Sequence, residues 1–208
     1  MSNKSSKTSK VSIDLIKQLR EKTGVSIKDC KEALRKHDGD IAKALREIQE
    51  QGSAIAQEKH NRITVHGRIA SYIHINNRMG SLVEINCETD SAANSEEFAK
   101  LCQHIAMQIV ACPEIKYVKF EDIPEEIKNH YIEVESQSKD LQDKPAQSKN
   151  KIIRGRIDKK LRRMCLLDQA NIKDDKVTVN DLIKEKINKF KENIQINRFA
   201  RFTIGEKI

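Results

Sequence analysis

"GSLVEINCETDSAANSEEFAKLCQHIAMQIVAC", Gly80–Cys112, changes its apolar period halfway along. In the first part Val83, Ile85 and Cys87 alternate with polar neighbours, the spacing of a strand buried on one face. In the second part Phe98, Leu101, Cys102, Ile105, Ala106, Ile109 and Val110 recur every three or four residues, the spacing of a helix with one continuous buried stripe. Asn94 or Ser95 can cap that helix, Glu96 and Glu97 suit its positive end, and Pro113 ends it. Between the two lies a small polar loop, Glu88–Asn94. Composition alone favours a connector that caps the helix. An acidic loop at this place could instead be the part that touches a partner.

Upstream, "ITVHGRIASYIHI" (63–75) carries Val65, Ile69, Ser71 and Ile73 on one parity, with Gly67 as a bend. With "NNRMG" as the turn and "SLVEINC" as the return, it predicts a β-hairpin. Residues 11–52 read as three short helices. "SIDLIKQLREKTG" puts Ile13, Ile16 and Leu19 on one side and stops at Gly24. "SIKDCKEALRKHDG" opens on a Ser26 cap and stops at Gly39; "DIAKALREIQEQG" opens on Asp40, aligns Ile41, Ala44, Leu45 and Ile48, and stops at Gly52. Residues 53–62 are a helix-capable linker to a core of residues 63–208. Residues 1–10 are Ser/Lys-rich and read as a disordered basic tail, too polar for a secretory signal.

Downstream, "YVKF" (117–120) is a short strand candidate and 123–142 is a solvated helix. "QDKPAQSKN" is a loop. "KIIRGRIDKKLRRMCLL" is a helix with Ile153, Ile157, Leu161, Met164 and Cys165 on one face. Its Lys/Arg run is most simply a solvated face. "KVTV", "NDLIKEKINKF" and "NIQINRFARFTI" give a short strand, a capped helix and a closing strand. Helices alternate with antiparallel strands without a βαβ pattern, so the fold class is α+β.

The 208 residues are ample for one or two domains, and no apolar run is long enough for a membrane span. Five widely spaced cysteines without a CxxC argue against a disulfide framework or zinc site, and for a reducing compartment. Cys102 and Cys165 fall on apolar faces and are expected to be buried. Residues 151–208 hold sixteen Lys/Arg against eight Asp/Glu, while residues 81–140 sum to −8. Segregated charge of both signs suits a protein partner better than nucleic acid alone. No phosphate-binding glycine loop, HExxH, GxSxG or metal-spaced His/Cys cluster occurs. The six histidines are scattered, and His104 is expected to be satisfied or exposed rather than a ligand. No cofactor, metal or enzymatic step is expected.

The letters carry more than the periods. "LIKQLREKTGVSIKDCKEAL" (15–34) resembles the amino-terminal signature of translation elongation factor Ts, and "SYIHINNRMGSLVEINCETD" (71–90) resembles its core hairpin. "GRIDKKLRRMCLLDQ", "IKDDKVTV" and "ENIQINRF" match its carboxy-terminal signatures in order. The resemblance runs from about residue 11 to 208. "IAMQIVACPEIKYV" and "ARFTIGEKI" resemble the cyanobacterial and plastid branch, of the short form with one core repeat.

This resemblance implies a UBA-like three-helix module on an α+β core, and a guanine-nucleotide exchange factor for elongation factor Tu. Such a factor binds its partner GDP-bound and, best, nucleotide-free, and so weakens nucleotide binding by the reciprocal factor. The implied home is a bacterial cytoplasm or plastid stroma, with no membrane and no direct nucleic acid contact; a homodimer is compatible with it. In the family the loop after the hairpin reads TDFV and enters the partner near its magnesium site. The matching positions are Thr89, Asp90, Ser91 and Ala92, so Thr and Asp are kept while Phe and Val are replaced. In the module, Leu19, Gly24, Val25, Ser26, Ile27 and Lys28 are the implied contacts, although Leu19 could equally be core. Ile27-Lys28 stands where the family commonly has Met-Met, and Gln169-Ala170-Asn171 where it has QPF or QPY. The alternative is a translation-associated binding protein of the same fold with weak or no exchange activity, touching RNA through residues 151–208.

Overall fold

The computed structural model describes residues 11–138, 140 and 145–206. The tail of residues 1–10 lies outside them. Three helices open the chain: α1 (Ile13–Thr23), α2 (Ile27–Lys36) and α3 (Ile41–Lys59). Ser12, Ser26 and Asp40 cap them, each side-chain oxygen accepting a first-turn N–H. Gly24 ends α1 in the left-handed conformation (φ 65°), where a side chain would be strained. Leu19, Val25, Cys30, Ala33, Leu34, Ala44 and Ile48 form the module's own core. Ile13, read on one side with Ile16 and Leu19, is exposed; Leu15 packs on the cluster instead, together with Ile16.

Gly52 does not end α3. The helix runs on to Lys59 through most of the predicted linker. Glycine is kept there for a close approach: a Cβ at Gly52 would lie 3.3 Å from the Asn188 side chain of a later helix. Packing overrides propensity at this point.

The core is a three-stranded antiparallel sheet in the order β1 (His66–Ile73), β2 (Met79–Cys87), β5 (Ile194–Thr203). Helix α5 (Glu96–Ala111) lies across one face, and its whole predicted stripe is buried. Ser81 draws helix and sheet together by donating to the Ala106 carbonyl at 2.7 Å. Val83, Ile85 and Cys87 point inward as read. In β1 the apolar parity points the other way. Arg68, Ala70 and Tyr72 take the helix-facing side, while Ile69 and Ile73 stand on the outer face. Gly67 serves a close approach, since a Cβ there would sit 2.3 Å from the Ile85 carbonyl oxygen. A bulge between Glu84 and Ile85 shifts the β5 register, after which Phe202 also faces out.

"YVKF" makes a single parallel bridge, Tyr117 with Cys165, and then a 3-10 turn at Phe120–Asp122. Helices α6 (Glu125–Ser136) and α7 (Ala146–Arg162) follow; α7 begins inside the predicted loop. Ile123, Ile153, Ile157, Leu161 and Cys165 form a third apolar cluster. Three cations of the basic run of α7 are paired. Lys160 and Arg156 meet Glu135, Arg156 also meets Asp140, and Arg162 meets Asp158 and Asp168. A small hairpin, β3 (Ala170–Asn171) and β4 (Asp174–Thr178), leads into α8 (Val179–Phe190). α8 packs between α3 and the sheet.

Candidate partner-binding site

The stretch Glu88–Asn94 is not a slack connector. Asp90–Asn94 forms one helical turn, α4, before α5 begins. Thr89 caps it, its hydroxyl accepting from the Ala92 N–H at 3.2 Å. Ser95 caps α5 in the same way, accepting from the Phe98 N–H at 3.1 Å. Ala92 and Ala93 plug the turn into the sheet–helix core. Their small side chains let the backbone come this close. The two alanines divide the predicted site: Thr89, Asp90 and Ser91 are exposed, whereas Ala92 is only 7% exposed and belongs to the core.

Glu192, just before β5, fixes the loop from outside. Its carboxylate accepts from the Thr89 N–H at 3.0 Å and from the Thr89 hydroxyl at 2.6 Å. Next to it, the Asn193 N–H donates to Glu88 Oε1 at 2.6 Å, and Arg62 lies 3.6 Å from the other Glu88 oxygen. Asp90 accepts from the Asn94 amide at 2.8 Å, a short-range exposed bond that leaves the carboxylate at the surface. Behind the loop, the buried Cys87 thiol donates to the Thr89 carbonyl at 3.3 Å. Burial, with Glu192 adding to it, pushes that thiol's pKa up. No signal in the periodicity pointed to Glu192 or Asn193. They stand in "ENIQINRF", a stretch noticed for its resemblance alone.

The module divides similarly. Ser26, Ile27 and Lys28 are exposed, and Ile27 keeps 56% of its surface. Leu19 and Val25 are core side chains with no surface to offer a partner. Leu19, left open between contact and core, is fully buried in one cluster with Cys30 and Leu34. Gly24 is half-buried beneath the Lys189 side chain, whose Cδ would meet a Cβ there at 3.0 Å. Lys189 continues to an ion pair with Glu97 in the first turn of α5, and Lys186 joins at 3.3 Å.

Gln169-Ala170-Asn171 is built into the fold. The Gln169 amide donates to the Arg162, Arg163 and Cys165 carbonyls and closes the end of α7. Asn171 is buried and bonds His104 at 2.8 Å, so His104 is satisfied. Burial, helped by Lys173, lowers the pKa of His104. Gln108, buried and unforeseen, pairs with the β3 turn like a strand: it donates to the Ala170 carbonyl and accepts from the Ile172 N–H, both at 2.8 Å.

Ser26–Lys28 of the module and Thr89–Ser91 of the core are thus two exposed stretches, each on an ordered, capped turn. Among the described residues no helix is long and apolar enough to cross a membrane. The family model "Elongation factor TS" matches residues 4–206. Elongation factor Ts of Synechococcus elongatus is 46% identical over 198 residues, covering 95% of this chain and 90% of that protein. Elongation factor Ts of Synechocystis sp. is 46% identical with 95% and 91% covered, and chloroplastic elongation factor Ts of Guillardia theta is 46% identical with 96% and 91% covered. The chain belongs to the elongation factor Ts family.

Proposed function

We propose that this chain is the guanine-nucleotide exchange factor of elongation factor Tu, in a bacterial cytoplasm or plastid stroma. It binds the GDP-bound partner through two surfaces, Ser26–Lys28 of the module and Thr89–Ser91 of the core. The observation that carries this is the placement of Asp90 and Ser91. They ride at the surface on a turn that is anchored on both sides, capped by Thr89 and plugged by Ala92 and Ala93. A carboxylate so held can be pushed toward a partner's magnesium site without first paying to order a loop. Disturbing that ion's shell removes much of what neutralises the GDP phosphates. Because Ser91 and Ala92 replace an aromatic and a branched side chain, Asp90 and the module carry more of the work here. By linkage, the chain holds nucleotide-free elongation factor Tu most tightly. The test is release of labelled GDP from the cognate factor Tu; a rate unchanged by saturating chain overturns the proposal.

A second copy of the chain is a further partner. Ile69, Ile73, Ile75, Leu82, Phe202 and Ile204 are exposed large apolar side chains on and beside the outer face of the sheet. Such patches commonly mark association surfaces. Phe202→Glu should turn a dimer into a monomer in sedimentation; an unchanged mass at high concentration removes this partner. The RNA-binding alternative is weaker, because Arg156, Lys160 and Arg162 of α7 already face carboxylates. RNA binding that falls with salt at a slope of about 0.7 per contacted phosphate would revive it.

A further inference from the structure

Residues 188–193, the corner between α8 and β5, touch the Thr89 loop on one side and, on the other, the module that carries Ser26–Lys28. On one side, the Asn188 amide reaches the Ile48 carbonyl of α3 at 3.5 Å, and Lys191 Nζ lies 3.6 Å from Asp29 of α2. On the other, Glu192 takes both donors of Thr89. Asn193, 1% exposed, fastens the end of α3 by donating to the His60 and Arg62 carbonyls at 3.2 and 2.9 Å.

Two details suggest more than general packing. The Thr89 hydroxyl donates its one proton to Glu192, which orients the oxygen so that it accepts from the Ala92 N–H. The start of α4, and with it Asp90 and Ser91, is set by a residue about a hundred positions away. Secondly, Lys191 stands at φ 57°, a left-handed conformation that glycine adopts more easily. The strained backbone is kept with a side chain that bonds Asn188 Oδ1 at 2.7 Å and faces Asp29.

We infer that this corner is the positioning element of the exchange site: Glu192 sets the Thr89–Ser91 loop, and Lys191 registers the module against it. The inference rests on the proposed function. A loop set from a fixed corner meets the partner in one geometry, so the effect falls on the exchange step more than on docking. The module's register acts on docking, because two surfaces on one body bind together only at the right spacing.

The experiment is stopped-flow release of labelled GDP from elongation factor Tu over a range of chain concentrations, with melting temperatures alongside. Glu192→Ala should lower the saturating release rate by about tenfold, the loss of hydrogen bonds to a charged group, with the half-saturating concentration unchanged within about twofold. Glu192→Gln keeps an acceptor for one of the two Thr89 donors and should recover part of the rate. It also serves as the test if the alanine variant does not fold. Lys191→Gly relieves the backbone, so its melting temperature should hold or rise while the half-saturating concentration rises several-fold. Asp90→Ala is the reference. If it slows release and both Glu192 variants release GDP at the wild-type rate, the positioning role of Glu192 is wrong. If Lys191→Gly binds as wild type does, the role of Lys191 is wrong. If Asp90→Ala itself has no effect, the loop reading is wrong and the positioning role of Glu192 falls with it.

Discussion

The two candidate contact surfaces are built by opposite means. The module turn belongs to a unit with a core of its own: Val25 beside it and Cys30 just after it are buried in one cluster with Leu19. The loop after β2 has almost no local core of its own. It borrows one by plugging Ala92 and Ala93 into the sheet, and it is held from outside by Glu192. A change in the module should therefore act first on stability. A change in the loop should act first on recognition.

The sharpest break of that contrast is Leu19→Ala. Removing a fully buried leucine from so small a core should cost about 2–5 kcal/mol. Thermal denaturation measures it, and at low temperature, with the module still folded, partner affinity should be close to wild type. Weakened binding by a fully folded variant would put Leu19 back at the interface. Next in size is Ser91→Phe. Ser91 is exposed in the free chain, so the added ring strains nothing until it meets a partner pocket. Titration with a conventional bacterial elongation factor Tu should show about tenfold tighter binding, part of the 1.5–3 kcal/mol of a buried Phe. A cognate partner that has filled the pocket would instead bind this variant more weakly.

Asp90→Ala should slow GDP release several-fold and leave the melting temperature within a degree or so, since its bond to Asn94 is exposed and local. A large stability loss would mean that the loop is structural after all. The smallest effect is expected from Glu97, which joins α5 to α8 near the module. Burial works to raise the Glu97 carboxyl, but Lys189 and Lys186 outweigh it and hold its pKa below the usual carboxylate range. Its contribution is therefore present above the unfolded value, near 4.5, and is lost as pH falls through the lower folded value. Melting curves from pH 7 to pH 3 should fall less steeply for Glu97→Gln than for wild type.

Much of the fold was legible in the sequence. The α5 stripe, the caps Ser26 and Asp40, and the inward side of β2 all follow from period and punctuation. A period of two, however, says that a strand has two faces and not which is covered. Ile69 and Ile73 of β1 share the apolar parity, yet it is the other parity, Arg68, Ala70 and Tyr72, that faces α5. Gly52 looked like a stop because a glycine's reason can lie in another helix, here at Asn188. The loop was found by letters, not by physics, and what holds it could not be found at all. Glu192 meets Thr89 only after the whole core has folded, and no local pattern marks such a pair.

Each of the three apolar clusters encloses a thiol of its own: Cys30 in the module, Cys87 and Cys102 beneath the sheet, and Cys165 under α7. Burial keeps all four protonated; Cys102 is pushed up to about 12 and Cys165 to about 11. Only the thiolate of an opened chain reacts readily with an alkylating reagent. The molecule thus carries a separate chemical clock in each cluster. Peptide-resolved labelling rates would rank the three regions by the free energy of local opening, without any residue having been changed.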